Sequence, residues 1–182
     1  MPSGRTHDSI TLWSLPIVAG ITFGLTQSGN LTLLVSGGFL FAGLMFGPDL
    51  DIYSQQYKRW GILRWIWLPY RRGLRHRSLM SHGAIVGTIG RILYLSVWIV
   101  LFVSVGIVLS AIVQQFFGAI PNWQNTVQVS MSTVMQQSVS FIQRAPIECL
   151  ALGIGLELGA MSHSLSDWIG SRIKRWNKRR KR

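Results

Sequence analysis

Acidic side chains are scarce in this sequence: six Asp and Glu stand against eighteen Lys and Arg in 182 residues. A soluble chain with that balance usually binds nucleic acid. In a membrane chain the same excess marks cytoplasmic loops and contact with anionic lipid. Hydropathy separates the two readings. Apolar residues make up 48% of the chain, eight residues are tryptophan and mean hydropathy is positive, so a membrane protein is expected and nucleic acid is set aside as a partner. Cysteine occurs once, at Cys149 inside an apolar run, which excludes an intrachain disulfide framework and a CxxC zinc ribbon. That thiol reads as a small buried apolar group. Also missing are a nucleotide-binding glycine loop, a haem-attachment motif, a serine or cysteine nucleophile constellation and an internal repeat.

The apolar runs define the architecture. Ile10 to Thr26 is apolar apart from isolated hydroxyls, and Leu31 to Gly47 follows after the short turn Gln27-Ser28-Gly29-Asn30. That turn is a poor signal-cleavage site with a second run behind it, so the two runs predict a helical hairpin. Gly47-Pro48 ends the second run, because proline cannot continue a helix without losing a hydrogen bond. A loop from Ile52 to Ser81 carries seven basic residues interleaved with Trp60, Trp65, Trp67 and Tyr70, a composition that predicts a stretch lying along headgroups. Gly83 to Val113 is the longest apolar run, and Gln114 to Gln143 is almost uncharged, as in an interfacial helix or a loop. Pro146 to Met161 is the fourth run, and the tail from Arg172 to Arg182 has eight basic residues.

The expected fold class is therefore all-α: an integral membrane protein with about four transmembrane helices, an interfacial basic and aromatic loop and a basic C-terminal tail. Residues 1–169 would form the membrane domain and residues 170–182 the tail. Four spans put both termini on one side with Arg5, the seven loop cations and the eight tail cations, which makes that side cytoplasmic. The expected location is a bacterial inner or other internal membrane.

Only ten residues are Asp, Glu or His, and eight of them fall into four clusters: His7-Asp8, Asp49-x-Asp51, His76-x5-His82 and His163-x3-Asp167. Under that topology all four lie at the cytoplasmic ends of helices. Neutral imidazole and carboxylate suit zinc, manganese or iron, and a set this rich has ligands for two ions. His163 and Asp167, four apart, share a helix face. Asp49 and Asp51 align only on an extended chain, and His76 and His82 need a turn around Ser78–Ser81, with Ser81 capping the third span. Taken singly the clusters have plainer readings: Asp8 as a helix cap, Asp49-x-Asp51 as a polar helix exit, His76 as a contact to lipid phosphate. Arg91 and Glu157 lie within the third and fourth runs, at depths of ~14 and ~9 Å for a rise of about 1.5 Å per residue, and are expected to pair. Glu157 as a deep ligand or base is the alternative.

The N-terminal Met-Pro-Ser-Gly-Arg-Thr-His-Asp, Gly47-Pro-Asp-Leu-Asp51, Arg75-His-Arg-Ser…Ser81-His82 and His163-x3-Asp167 resemble, over residues 3–167, uncharacterised metal-binding membrane proteins of cyanobacteria and other bacteria. More distantly, the Asp-Leu-Asp, Arg-His-Arg-Ser…Ser-His and late His-x3-Asp elements are similar to membrane-bound metal-dependent hydrolases of the YdjM type. The resemblance implies His7, Asp49, Asp51, His76, His82, His163 and Asp167 as metal-site residues. On the hydrolase reading, Asp49, Asp51 or Asp167 would serve as base, and Arg75 and Arg77 would hold an anionic group such as a lipid phosphate. The alternative is a structural metal in a non-enzymatic protein that binds anionic headgroups or a membrane protein complex.

Overall fold

The computed structural model describes residues 4–74, 76 and 78–180, and the described residues contain helices but no strand. They divide into two compact units, Met1–Ile92 with Leu150–Arg182, and Leu93–Cys149.

The first unit begins with the expected hairpin. Helix α1, Gly4–Thr26, and helix α2, Gly29–Leu44, pack along each other. Between them Gln27 takes a left-handed φ of 49°, and the Ser28 side chain caps α2 by accepting from Leu31 N–H. After α2 the chain does not extend. Pro48 starts a 3₁₀ turn, Pro48–Asp51, in which the missing proline N–H would have been unpaired anyway. Short helices follow: α3, Gln55–Lys58; a 3₁₀ segment, Gly61–Trp67; α4, Leu68–Gly73; and α5, Leu79–His82.

This connecting stretch builds a small core of its own, while Tyr53, Ile62, Leu63 and Trp65 stay exposed on its outside. Trp67 is fully buried, with ring centroids 5.1 Å from Trp60, 5.5 Å from Tyr70 and 5.8 Å from Phe46. Trp60 donates its indole N–H to the Met45 carbonyl at 2.9 Å. Edge-to-face contacts of this kind add to the apolar area that the rings bury, and the cluster clamps the stretch to the end of α2.

Helix α6, Val86–Phe116, starts after a turn at Gly83–Ile85, three residues later than the apolar run suggests. Helix α8 runs unbroken from Pro146 to Arg180. Its small residues meet α2 at backbone contact: a Cβ on Gly155 would strike the Val35 carbonyl, one on Gly159 the Phe39 carbonyl, and one on Gly38 would come within 2.8 Å of the Leu152 carbonyl. Glycine at four-residue spacing is the usual device for close helix approach. In the second unit Asn122 caps helix α7, Trp123–Arg144, through bonds from Gln124 and Asn125 N–H, and Ser104 contacts Met131 Sδ at 3.8 Å. Among the described residues three helices are long and apolar enough to cross a membrane, or four if the pair broken at Ala145 counts as one span.

The α2–α8 contact makes a paired prediction. Gly159→Ala forces a backbone shift and should destabilise by about 1–3 kcal/mol, lowering the thermal unfolding midpoint in detergent. Gly153→Ala, whose Cβ would meet nothing within 4 Å, should be neutral or slightly stabilising, since alanine favours helix over glycine by ~1 kcal/mol. Equal midpoints for the two variants would contradict the close approach.

Candidate metal centre

All seven side chains proposed as ligands lie in the first unit, but not all at helix ends as expected: α8 continues past His163 and Asp167 to Arg180, so these two stand in its interior. His7 sits in the first turns of α1, Asp49 and Asp51 in the 3₁₀ turn, His76 before α5, His82 at its end, and His163 and Asp167 one turn apart on α8. Arg75 and Arg77 lie outside the described residues. The His76–His82 approach uses Ser78, at the N-cap position of α5, as the turn; Ser81 is buried inside α5 and does not cap the long helix. The two rings end 5.0 Å apart, edge to face.

Asp49 is the middle of the arrangement. Its Oδ2 lies 3.1 Å from His163 Nε2, and its Oδ1 lies 3.6 Å from His82 Nε2. One carboxylate therefore faces two imidazoles on different elements. The ligand atoms divide into two groups, His7 with His163 and Asp167, and Asp49 with His76 and His82, and within each group they lie within 4.8 Å of one another. His7 and His163 stack with ring centroids 3.9 Å apart, and His7 Nε2 lies 3.3 Å from Asp167 Oδ1.

The outer nitrogens of the rings are engaged by neighbours. Ser166 Oγ spends its proton on the His163 carbonyl at 2.8 Å, so at 2.7 Å it accepts from His7 Nδ1. In a neutral His7 the lone pair is then on Nε2, facing the Asp167 carboxylate, an arrangement that a proton or a metal ion between them makes favourable. His76 Nδ1 lies 3.0 and 3.1 Å from the two Asp51 oxygens. That carboxylate has no solvent exposure, and it fixes the ring with Nε2 free, the usual relation of a carboxylate behind a ligating histidine. Ser81 Oγ is 3.0 Å from His82 Nδ1, and the Gln56 amide 3.4 Å from His163 Nδ1. Buried side-chain atoms with no hydrogen-bond partner include Asp49 Oδ1, His82 Nε2, His163 Nε2 and Asp167 Oδ1. Unpaired buried polar atoms are costly unless something unseen satisfies them, and these four are all nitrogen or oxygen donors at one place. The donor set fits divalent metal.

Asp8 stands apart from this set. Arg59 grips it bidentately at 2.9 and 2.5 Å, so the pair His7-Asp8 divides between a site residue and a surface ion pair. No ion pair joins Arg91 to Glu157 either. The reason is the turn before α6. Ile85 has a left-handed φ of 64°, and its N–H donates to Glu157 Oε1 at 2.9 Å. Arg91, 1% exposed, donates from Nη1 to the Ser81 carbonyl at 2.8 Å and from Nη2 to Thr88 Oγ1 at 2.9 Å. Both charges hold the turn that delivers His82.

A cavity of about 260 Å³ borders the centre, lined by His7, Asp49, His163 and Asp167 together with residues of the Ile52–Lys58 stretch. Sequence reasoning missed Gln56, Ser54 and Lys58 in this wall. Ser166 was open to discovery, since it lies on the same helix face as His163 and Asp167; Gln56 carries no sequence signal.

Residues 2–177 match the family described as uncharacterized metal-binding protein (DUF2227). The chain belongs to that family. This metal-binding family membership agrees with the donor set found here. An Aquifex aeolicus (strain VF5) protein, described only as uncharacterized, is 34% identical to this member over 59 residues, 32% of this chain. The chain spans about two fifths of that relative's length (41%). No solved structure matches this metal-binding chain.

Arg91 yields a test of how the centre is held. Arg91→Met removes the Nη1 donor from the buried Ser81 carbonyl and the Nη2 donor from Thr88, a loss of about 1–3 kcal/mol. The unfolding midpoint of the metal-stripped protein should fall, and metal affinity with it, because His82 follows Ser81. An unchanged midpoint and unchanged affinity would show that Arg91 does not support the turn.

Proposed function

We propose that this chain is an integral membrane metalloprotein with a two-ion centre bridged by Asp49, and that it is a metal-dependent hydrolase of a phosphate-bearing substrate. The observation that carries the reading is the Asp49 carboxylate, whose two oxygens face imidazoles of the two ligand groups. His7, His163 and Asp167 would hold one ion, His76 and His82 the other, with Asp49 shared. Zinc, manganese and iron all accept this mixture of imidazole and carboxylate. Bound ions of this kind supply Lewis-acid polarisation of a phosphoryl oxygen and activation of water.

The chain's own residues do the rest. Ser166 and Asp51 orient His7 and His76. Asp51, engaged by His76 and absent from the cavity wall, is withdrawn from the role of base, which leaves Asp49 and Asp167 as the carboxylates beside substrate. The adjoining cavity favours a catalytic over a closed structural site, since a catalytic metal keeps a position open to the reactant. The membrane reading draws support from Trp13, Leu25, Leu33, Val97 and Val100, large apolar side chains exposed along α1, α2 and α6. With the basic loop and tail on the cytoplasmic side, α8 presents Trp168 and Trp176 beneath Arg172 and Arg180, at 4.7 and 5.0 Å, a pattern suited to anionic headgroups.

Metal stoichiometry tests the proposal. Elemental analysis of the detergent-purified protein should find two divalent ions per chain. The double variant His7→Ala/Asp167→Ala should keep one, His76→Ala/His82→Ala should keep one, and Asp49→Ala should weaken both by tenfold or more. Metal absent from a folded parent, or both ions retained in Asp49→Ala at parental affinity, contradicts the bridge. Removal of metal by chelator should abolish phosphoester hydrolysis, and restored metal should return it.

A further inference from the structure

We infer that the cavity beside the His7 group is a receptor for a phosphoryl dianion and that Lys58 is its protein-borne cation. The inference rests on the two-ion reading and deepens it. At about 260 Å³, the cavity lies just below the range of about 300–1,000 Å³ that holds drug-sized ligands. It has room for a phosphate or a headgroup, and it is open on one side, so the rest of a larger ester can lie outside it.

Charge selects the ligand. Of the carboxylates that line the cavity, Asp8 is neutralised by Arg59, while Asp49 and Asp167 face the metal positions. Lys58 is the cation left over: no ion pair among the described residues involves it, and its Nζ rests 4.9 Å above the Tyr53 ring in the same wall. An exposed ammonium on an aromatic face remains able to accept an anion. Without metal the lining is net acidic and repels anions. Two divalent ions against Asp49, Asp51 and Asp167 leave a single positive charge, and Lys58 adds a second. A phosphomonoester or inorganic phosphate neutralises both; a carboxylate leaves one. Metal and anion binding are therefore coupled, each raising the affinity for the other.

Lys58 follows the Ser54 cap that also ties down the site. Ser54 Oγ donates to the Asp49 carbonyl at 2.8 Å and accepts from Tyr57 N–H at 3.2 Å, so the helical turn bearing Lys58 and the bridging carboxylate are fixed to each other. The lysine is exposed, so its replacement should leave the fold intact.

The experiment is calorimetric titration of inorganic phosphate onto the full-length, manganese-loaded protein in detergent, for the parent, Lys58→Met and Lys58→Arg, with metal content measured in each. Phosphate should bind the loaded parent and not the metal-stripped one. Lys58→Met should weaken it at least tenfold at unchanged metal content, and Lys58→Arg should recover most of the loss. Equal phosphate affinity in the parent and Lys58→Met, with metal present in both, overturns the assignment of Lys58 and leaves the metal centre standing. A parent that takes up no metal overturns the two-ion reading and this inference together. Competition separates the sources of the phosphoryl group. Displacement of phosphate by phosphatidylcholine vesicles containing phosphatidic acid supports a lipid headgroup, and displacement by a soluble phosphomonoester alone supports a free ester.

Discussion

One half-buried carboxylate organises the first unit of this protein. Asp49 carries its charge into a place where water is mostly excluded, and such a charge is tolerable only when opposite charge or strong donors surround it. Imidazoles face both of its oxygens, and the rest of the first unit reads as the means of bringing them there. Gly47-Pro48 stops α2, and the 3₁₀ turn swings Asp49 under the helix end. The Ser54 hydroxyl then holds the Asp49 carbonyl. On the far side, Gly155 and Gly159 let α8 approach α2 at backbone distance, so that His163, one helical turn beyond Gly159, arrives 3.1 Å from the carboxylate.

The second layer explains why the imidazoles point inward. Ser166, Asp51, Ser81 and Gln56 each touch the ring nitrogen that faces away from the centre, which leaves the opposite nitrogen for a cation. Arg91 and Glu157 act one step further out, holding the two sides of the turn between α5 and α6. A membrane-buried pair would have cancelled its own charges. Here each charge satisfies a backbone group that a left-handed residue at Ile85 leaves open.

The helices were legible because lipid-length apolar runs, a proline stop and a polar turn are local signals. The site was legible as a set for a different reason. In a chain with ten Asp, Glu and His residues, eight gathered in four clusters are conspicuous, and the i, i+4 spacing of His163 and Asp167 fixes a shared face. What local pattern could not convey was conformation after Pro48, where a 3₁₀ turn replaced the extended chain. Nor could it convey the partners that only tertiary contact supplies: Arg59 on Asp8, Gln56 on His163, Arg91 on the Ser81 carbonyl. The aromatic stretch was only half legible because tryptophan suits headgroups and cores alike: Trp67 goes to a core and Trp65 stays exposed. Glycines at 155 and 159 carried a packing signal that composition alone did not reveal.

The central claim is that one carboxylate joins two metal positions, and electron paramagnetic resonance of the manganese-loaded protein tests it most directly. Two manganese ions sharing the Asp49 carboxylate predict the broadened, temperature-dependent spectrum of an exchange-coupled pair. A simple six-line spectrum of isolated ions, at full loading, would contradict the bridge.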